Sequence, residues 1–299
     1  MKKTTLLSLL ILALLSLQAQ KEIALYPGPI PNARPVPDPE QVVQRETGGR
    51  AYLDTAVPTL TVFTPPHPNG KAVVICPGGG YVKTAFDKEG ILVAQSLLED
   101  SITSFVLKYR IPQDLTNVDK SLAPLQDAQQ AIRYVRKNAQ AYQLDPAKIG
   151  IMGFSAGGHL AASAATHFQK NADSNETDTT AIRPDFVMLI YPVISFSDEL
   201  THRGSREHLL GANPTTAEIL HWSNEEQVAT DTPPSFLVHA ADDKAVPVGN
   251  SLAYYQACIA HDVPVEMHLY PRGGHGFGMY NTTTPDDWME RLKNWLSTL

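Results

Sequence analysis

Gly153-Phe154-Ser155-Ala156-Gly157 lies between two runs of opposite character. Before it, Lys148-Ile149-Gly150-Ile151-Met152 is short, apolar and β-leaning. After it, Gly158-His159-Leu160-Ala161-Ala162-Ser163-Ala164-Ala165 is rich in alanine, the strongest helix former. A G-x-S-x-G turn between strand and helix bends the backbone sharply and pushes the serine hydroxyl into the open, provided the flanking residues are small. Ser155 is therefore the candidate nucleophile.

Strand-like and helix-like segments alternate outward from this turn. Residues 60–63 read as an edge strand, 73–76 as a central buried strand, 89–98 as a helix and 102–109 as the next strand. A long amphipathic helix is expected over 122–142, and a polar loop over 171–180. Strands follow at 186–191, 235–240 and 265–270, with short helical pieces in 205–228 and helices over 249–261 and 285–299. Such alternation predicts an α/β fold, a mostly parallel central sheet with helices on both faces. Ligands of such sheets bind at the carboxyl ends of the strands.

The candidate chemistry falls there. A serine hydroxyl needs a base within hydrogen-bond reach, and the base needs a group that fixes its tautomer. Asp242 and Asp243 follow the strand at 235–240, and His275 follows the strand at 265–270 among glycines that allow its loop to reach over the sheet edge. His239, His261 and His268 read as strand or helix residues, and His159 as a packing residue of the elbow helix. Pro77-Gly78-Gly79-Gly80-Tyr81 follows the central strand, and its glycines free backbone N–H groups to face a substrate. Asp127, Arg133 and Arg136 read as a charged helix face.

Composition narrows the partners. Lys2 and Lys3 precede an apolar run over 6–17 ending in Gln18-Ala19-Gln20, which reads as an exported protein's signal peptide over residues 1–19, too short to span a membrane. Residues 20–56 are expected to form an extended N-terminal strap, proline-dense over 26–39, and 57–299 a single catalytic domain. Without the leader, 22 basic residues face 31 acidic ones, a formal charge of −9. No basic cluster marks nucleic acid or an anionic membrane as a partner. Cys76 and Cys258 read as small buried hydrophobes, with a bridge between them left open.

From about residue 57 onward the chain resembles the alpha/beta-hydrolases of the hormone-sensitive-lipase-like and feruloyl-esterase-like branch. Within that branch it is most similar to exported bacterial acetyl xylan esterases. The resemblance rests on Pro77-Gly78-Gly79-Gly80-Tyr81, Lys108-Tyr109-Arg110, Gly153 to Leu160, Tyr191-Pro192-Val193-Ile194, Gly204-Ser205-Arg206 and Gly274-His275-Gly276-Phe277-Gly278. Pro77 departs from the histidine that many lipase relatives carry there. The resemblance implies a Ser155, Asp243 and His275 triad, Asp243 being chosen over Asp242 by the family's D-x-x-V-P spacing. It also implies an oxyanion hole from the N–H groups of Gly79 or Gly80 together with Ala156, and no metal or organic cofactor.

Tyr81, Tyr109, Tyr191 and Trp222 are the candidates for lining a sugar cleft, with core or rim packing as the alternative. Arg206 is a candidate contact for a polar substrate, or a solvated residue of a helix capped by Ser205. The expected activity is removal of short acyl groups, acetyl foremost, from plant polysaccharides such as xylan through an acyl-enzyme. The alternatives are a feruloyl esterase, another small-ester hydrolase or peptidase on the same triad, and a non-catalytic carbohydrate-binding relative. Oligomeric state is not legible.

Overall fold

The computed structural model describes residues 21–44 and 48–299, and the leader expected over residues 1–19 lies outside them. The chain begins with β1 (Lys21–Ala24), β2 (Gln41–Gln44), β3 (Arg50–Leu53), β4 (Thr59–Phe63), β5 (Ala72–Cys76) and the two-residue β6 (Lys83–Thr84). A single π-helical turn, Asp87–Ile91, leads into α1 (Leu92–Glu99), followed by β7 (Thr103–Lys108) and α2 (Ala123–Lys137). β8 (Ile149–Phe154) and α3 (Ala156–Thr166) flank Ser155, and β9 (Val187–Ile190) follows. α4 (Arg203–Leu210) and α5 (Thr216–Trp222) precede β10 (Ser235–Ala240), α6 (Gly249–Ala260), β11 (Val265–Tyr270) and α7 (Trp288–Ser297).

Eight strands make the main sheet in the order β1-β4-β7-β5-β8-β9-β10-β11. β1 with β4 and β4 with β7 are antiparallel, while every pairing from β7 to β11 is parallel. A small antiparallel sheet, β2-β3-β6, stands apart. Side chains of a strand alternate between its faces, and here each face meets a core. Ala72, Val74 and Cys76 of β5 point into one core with α2, α3 and α6, whereas Val73 and Ile75 point into the other with α1 and α7. The continuous apolar runs of the central strands follow from this double burial.

Three of the expected elements differ from those found. The segment 20–56 contributes β1, β2 and β3 as well as an irregular stretch over 26–39, tied down by the bridge Ala33↔Asn117. Because β1 pairs with β4, the strand read as an edge is interior. The helix expected over 122–142 stops at Lys137: the Asn138 side chain donates to the Tyr134 carbonyl at 2.7 Å, and a separate 3₁₀ turn, Ala139–Tyr142, follows.

Asp127 is not part of a charged helix face. It is fully buried against Arg110, which leaves the carboxyl end of β7. The guanidinium Nη2 lies 2.8 Å from Asp127 Oδ1, and the Arg110 N–H donates to Oδ2 at 2.8 Å. The same guanidinium donates to the Pro31 carbonyl, and Tyr26 donates to Asp127 Oδ1, so the pair also fastens the N-terminal segment to the sheet. Breaking a buried pair by removing one partner leaves an uncompensated charge, at a cost of about 3–5 kcal/mol. Asp127→Ala should lose that amount in urea unfolding; a loss under ~1 kcal/mol would show that the pair is not the fastening described.

Candidate active site

Ser155 occupies the single residue between β8 and α3 with φ 53° and ψ −119°, a left-handed conformation that non-glycine residues avoid. The turn closes only because its neighbours lack side chains. A Cβ on Gly157 would stand 2.1 Å from the Cys76 carbonyl oxygen, and one on Gly153 would stand 2.0 Å from the Gly157 carbonyl oxygen. The serine N–H donates to the Ile190 carbonyl, and its own carbonyl accepts the N–H groups of His159 and Val193. Ser155 is 7% exposed.

The structure brings Ser155, His275 and Asp243 into one hydrogen-bonded chain. Ser155 Oγ lies 2.8 Å from His275 Nε2, and His275 Nδ1 lies 2.6 Å from Asp243 Oδ2. Burial favours the neutral form of Asp243, but bonds from His239 and His275 and from the Val246 N–H outweigh it and hold the carboxyl well below the usual range. An ionised carboxylate only accepts, so Nδ1 of His275 carries the proton and Nε2 presents its lone pair to the serine hydroxyl. That arrangement can take the serine proton as the oxygen attacks an electrophile.

Each group is held by others. Asp243 Oδ1 accepts the N–H groups of Ala245 and Val246 at 2.9 Å each. His239 donates from Nε2 to the Val246 carbonyl and lies 3.3 Å from Asp243 Oδ2, while Ser251 holds its Nδ1. Asp242, one residue early, accepts the Gly274 N–H at 2.7 Å and so braces the histidine loop. Lys88 donates to the Gly276 carbonyl at 2.5 Å.

The glycine-rich loop after β5 passes directly over the serine, since a Cβ on Gly78 would lie 2.9 Å from Ser155 Cβ. Its carbonyls are occupied within the loop: Gly78 accepts the Ala85 N–H, and Gly79 accepts the N–H groups of Val82 and Lys83. In a trans peptide the N–H points opposite to the C=O. The N–H groups of Gly79 and Gly80 therefore face away from the loop's interior, and neither has a protein acceptor among the described residues. Ala156 opens α3, where the first N–H groups have no intrahelical partner.

The aromatic candidates for a sugar cleft are core residues. Tyr81, Tyr109, Tyr191 and Trp222 are between 0% and 4% exposed. Their hydroxyls are committed: Tyr81 to His159 Nδ1 at 2.9 Å, Tyr109 to the Pro77 carbonyl at 2.7 Å, and Tyr191 to Glu89 at 2.9 Å. Such burial leaves no ring face for a ligand. Arg206 is likewise structural, donating to the Phe196 carbonyl and Asp198. Ser205 is not the cap of α4. His202 is, its Nδ1 accepting the Ser205 N–H, and its ring reaches the glycine loop, 3.9 Å from where a Gly80 Cβ would lie. His208, on the same helix, donates to the Gly80 carbonyl at 2.8 Å. Glu89, His202 and His208 were not singled out from sequence, and no local pattern marks them. Cys76 and Cys258 are both free and buried. Burial pushes the Cys258 thiol up to about 12, and that of Cys76 further.

A mostly parallel sheet that carries a serine elbow, an acid and a histidine past the carboxyl ends of β8, β10 and β11 defines an alpha/beta-hydrolase. The chain belongs to the BD-FAE family, whose model matches residues 60–257. It is 34% identical over 246 residues to an acetylxylan esterase of Xylanibacter ruminicola, covering 80% of this chain and 48% of that protein. It is 39% identical over 218 residues to endo-1,4-beta-xylanase B of Butyrivibrio fibrisolvens, covering 72% of this chain. The chain thus spans 48% and 34% of the lengths of these two relatives. Among solved structures it is similar to an acetyl ester-xyloside bifunctional hydrolase from Caldicellulosiruptor lactoaceticus. There the TM-score is 0.78 and the identity 35%, with 93% of this chain and 96% of that one covered.

His159 gives the site a measurable pH signature. Its Nε2 donates to the Trp222 carbonyl and its Nδ1 accepts the Tyr81 hydroxyl. Burial pushes its pKa down to about 3, against the opposing bond to Trp222. The buried neutral ring therefore contributes its full stability above the ordinary histidine value of ~6.5, and that contribution is lost as pH falls from there towards about 3. His159→Gln should be less stable than wild type by more at pH 7 than at pH ~4.5, read from urea midpoints. An equal deficit at both would contradict the assignment.

Proposed function

We propose that the chain is a serine carboxylesterase that removes short acyl groups, acetyl foremost, from acylated plant polysaccharides such as xylan. The observation that carries this reading is the continuous chain Ser155–His275–Asp243 beside the unpaired N–H groups of Gly79, Gly80 and Ala156. Ser155 Oγ attacks the ester carbonyl as its proton passes to His275 Nε2, and Asp243 holds and stabilises the imidazolium. The free N–H groups receive the oxyanion, each donor being worth about 2.7–4 kcal/mol in such sites. Protonated His275 then gives its proton to the leaving sugar oxygen. It next takes one from the water that cleaves the acyl-enzyme.

The acylated-xylan substrate class is supported by the relatives named an acetylxylan esterase and an acetyl ester-xyloside hydrolase. Export is part of the same proposal, supported by Lys2 and Lys3 ahead of the apolar run over 6–17.

Ser155→Ala should cut turnover of 4-nitrophenyl acetate by about 10⁴-fold or more. A purified variant with wild-type turnover would refute the mechanism. Mass spectrometry of acetylated xylo-oligosaccharides before and after incubation tests the substrate class, with feruloylated arabinoxylan and peptide amides as competitors. Release from either competitor but not from the acetylated chains would move the assignment to that activity.

A further inference from the structure

Glu89 is a buried carboxyl, 5% exposed, for which the serine, histidine and aspartate chemistry has no use. It lies inside the π-helical turn Asp87–Ile91, an insertion that accumulates at functional sites. Both of its oxygens are engaged by neutral donors. Oε2 accepts the Gly78 N–H at 2.8 Å, and Oε1 accepts the Tyr191 hydroxyl at 2.9 Å. Tyr191 in turn accepts the Gly278 N–H at 3.0 Å, and its ring stands edge-on to His275 with centroids 5.1 Å apart. One side chain thus joins the glycine-rich loop to the loop that carries the histidine.

The peptide that Glu89 grips is the one that sets the direction of its neighbours. Tyr109 holds the Pro77 carbonyl, Glu89 the Gly78 N–H, Ala85 the Gly78 carbonyl, and Val82 with Lys83 the Gly79 carbonyl. Every main-chain polar group from Pro77 to the Gly79 carbonyl is tied except the Gly79 N–H, and the Gly80 N–H beyond it is free as well. Gly78 is also squeezed between Glu89 and the nucleophile: its Cβ position lies 2.7 Å from Glu89 Oε2 and 2.9 Å from Ser155 Cβ.

We propose that Glu89 is a positioning residue for the acyl-transfer step. It locks the Gly78 peptide so that the Gly79 and Gly80 N–H groups meet the developing oxyanion. Through Tyr191 it holds the His275 loop at the matching distance. The inference rests on the serine-esterase reading above. A donor displaced from the oxyanion is lost to the transition state more than to the ground state, so the cost falls on kcat and not on KM.

The test compares Glu89→Ala, Glu89→Gln, Tyr191→Phe and Ser155→Ala with wild type on 4-nitrophenyl acetate. Each is also titrated with butylboronic acid, whose serine adduct carries a tetrahedral oxyanion-like group. Glu89→Ala should lower kcat by about 10²-fold, leave KM within ~3-fold, and weaken the boronate by a factor similar to the kcat loss. Glu89→Gln can still accept from Gly78 and donate to Tyr191, so it should recover most of that loss. Adding Tyr191→Phe to Glu89→Ala should cost little more than Glu89→Ala alone, because both break one chain.

If Glu89→Ala keeps kcat within ~2-fold while Ser155→Ala is dead, the inference fails and the esterase reading stands. If Ser155→Ala keeps its activity, the esterase reading itself fails. Should Glu89→Ala not fold, Tyr191→Phe decides: a kcat loss of ~10-fold or more at constant KM supports the role, and an unchanged kcat overturns it.

Discussion

Ser155 holds a left-handed backbone at the point where a parallel strand must turn into a helix, and the surroundings are built to keep it there. A strained φ/ψ pair costs about 1–3 kcal/mol and persists only where neighbouring contacts over-determine it. Here the serine N–H is held by β9, its carbonyl accepts two N–H groups, and three glycines let the helix approach β5 and the chain after β9 at backbone distance. Gly157 lies against the Cys76 and Pro77 carbonyls, and Gly158 against Pro192. The backbone fixes the direction of the Ser155 Cα–Cβ bond, and the bond to His275 Nε2 selects the rotamer of the hydroxyl.

The parallel sheet supplies the rest of the alignment. Gly153 is opposite Cys76, Phe154 is opposite Ile190, and Ala240 is opposite Tyr270. The loops after β5, β8, β9, β10 and β11 therefore leave from one edge. The histidine loop is the richest of them in glycine, with positive φ at Gly273, Gly274, Gly276 and Gly278. It is staked at short intervals instead: Asp242 takes the Gly274 N–H, Lys88 the Gly276 carbonyl, and Tyr191 and Trp288 the two polar groups of Gly278. Glycine permits the path, and long-range side-chain bonds select it.

What could be read from sequence follows the range of the interaction. The elbow is a local pattern, and so are the strand ends that precede Asp243 and His275. Ser155 and His275 could be picked out from such local signals, Asp243 was separated from Asp242 only by the family's spacing, and the alternating elements around them gave the layered sheet. The aromatic residues were left between a sugar cleft and core packing because exposure is not a local property: Tyr109 at the end of β7 looks the same whether it faces solvent or the underside of Pro77. Asp127 was misread for a related reason. Its i,i+6 and i,i+9 arginines suggested a surface face, while its partner Arg110 lies on another element, 17 residues back. Glu89 and His202 gave no signal, since their roles depend on contacts with Tyr191 and Gly80, each over 100 residues away.

The buried tyrosines have a physical role that fits this geometry better than ligand stacking does. Tyr81 and Tyr191 both adopt positive φ, at 60° and 37°, as Ser155 does, so three non-glycine residues bordering the site carry unusual backbone. Each ring is packed on another: Tyr81 on Tyr109 and His159, and Tyr191 on Phe154, Phe277 and His275. A buried hydroxyl without a partner is expensive, so each bonded hydroxyl fixes its ring's orientation as well as its depth. The outcome is a frame in which the proposed oxyanion donors and the imidazole are in place before substrate arrives. Groups that are already aimed need no reorganisation as charge develops, and that saving is the main source of rate in sites of this kind.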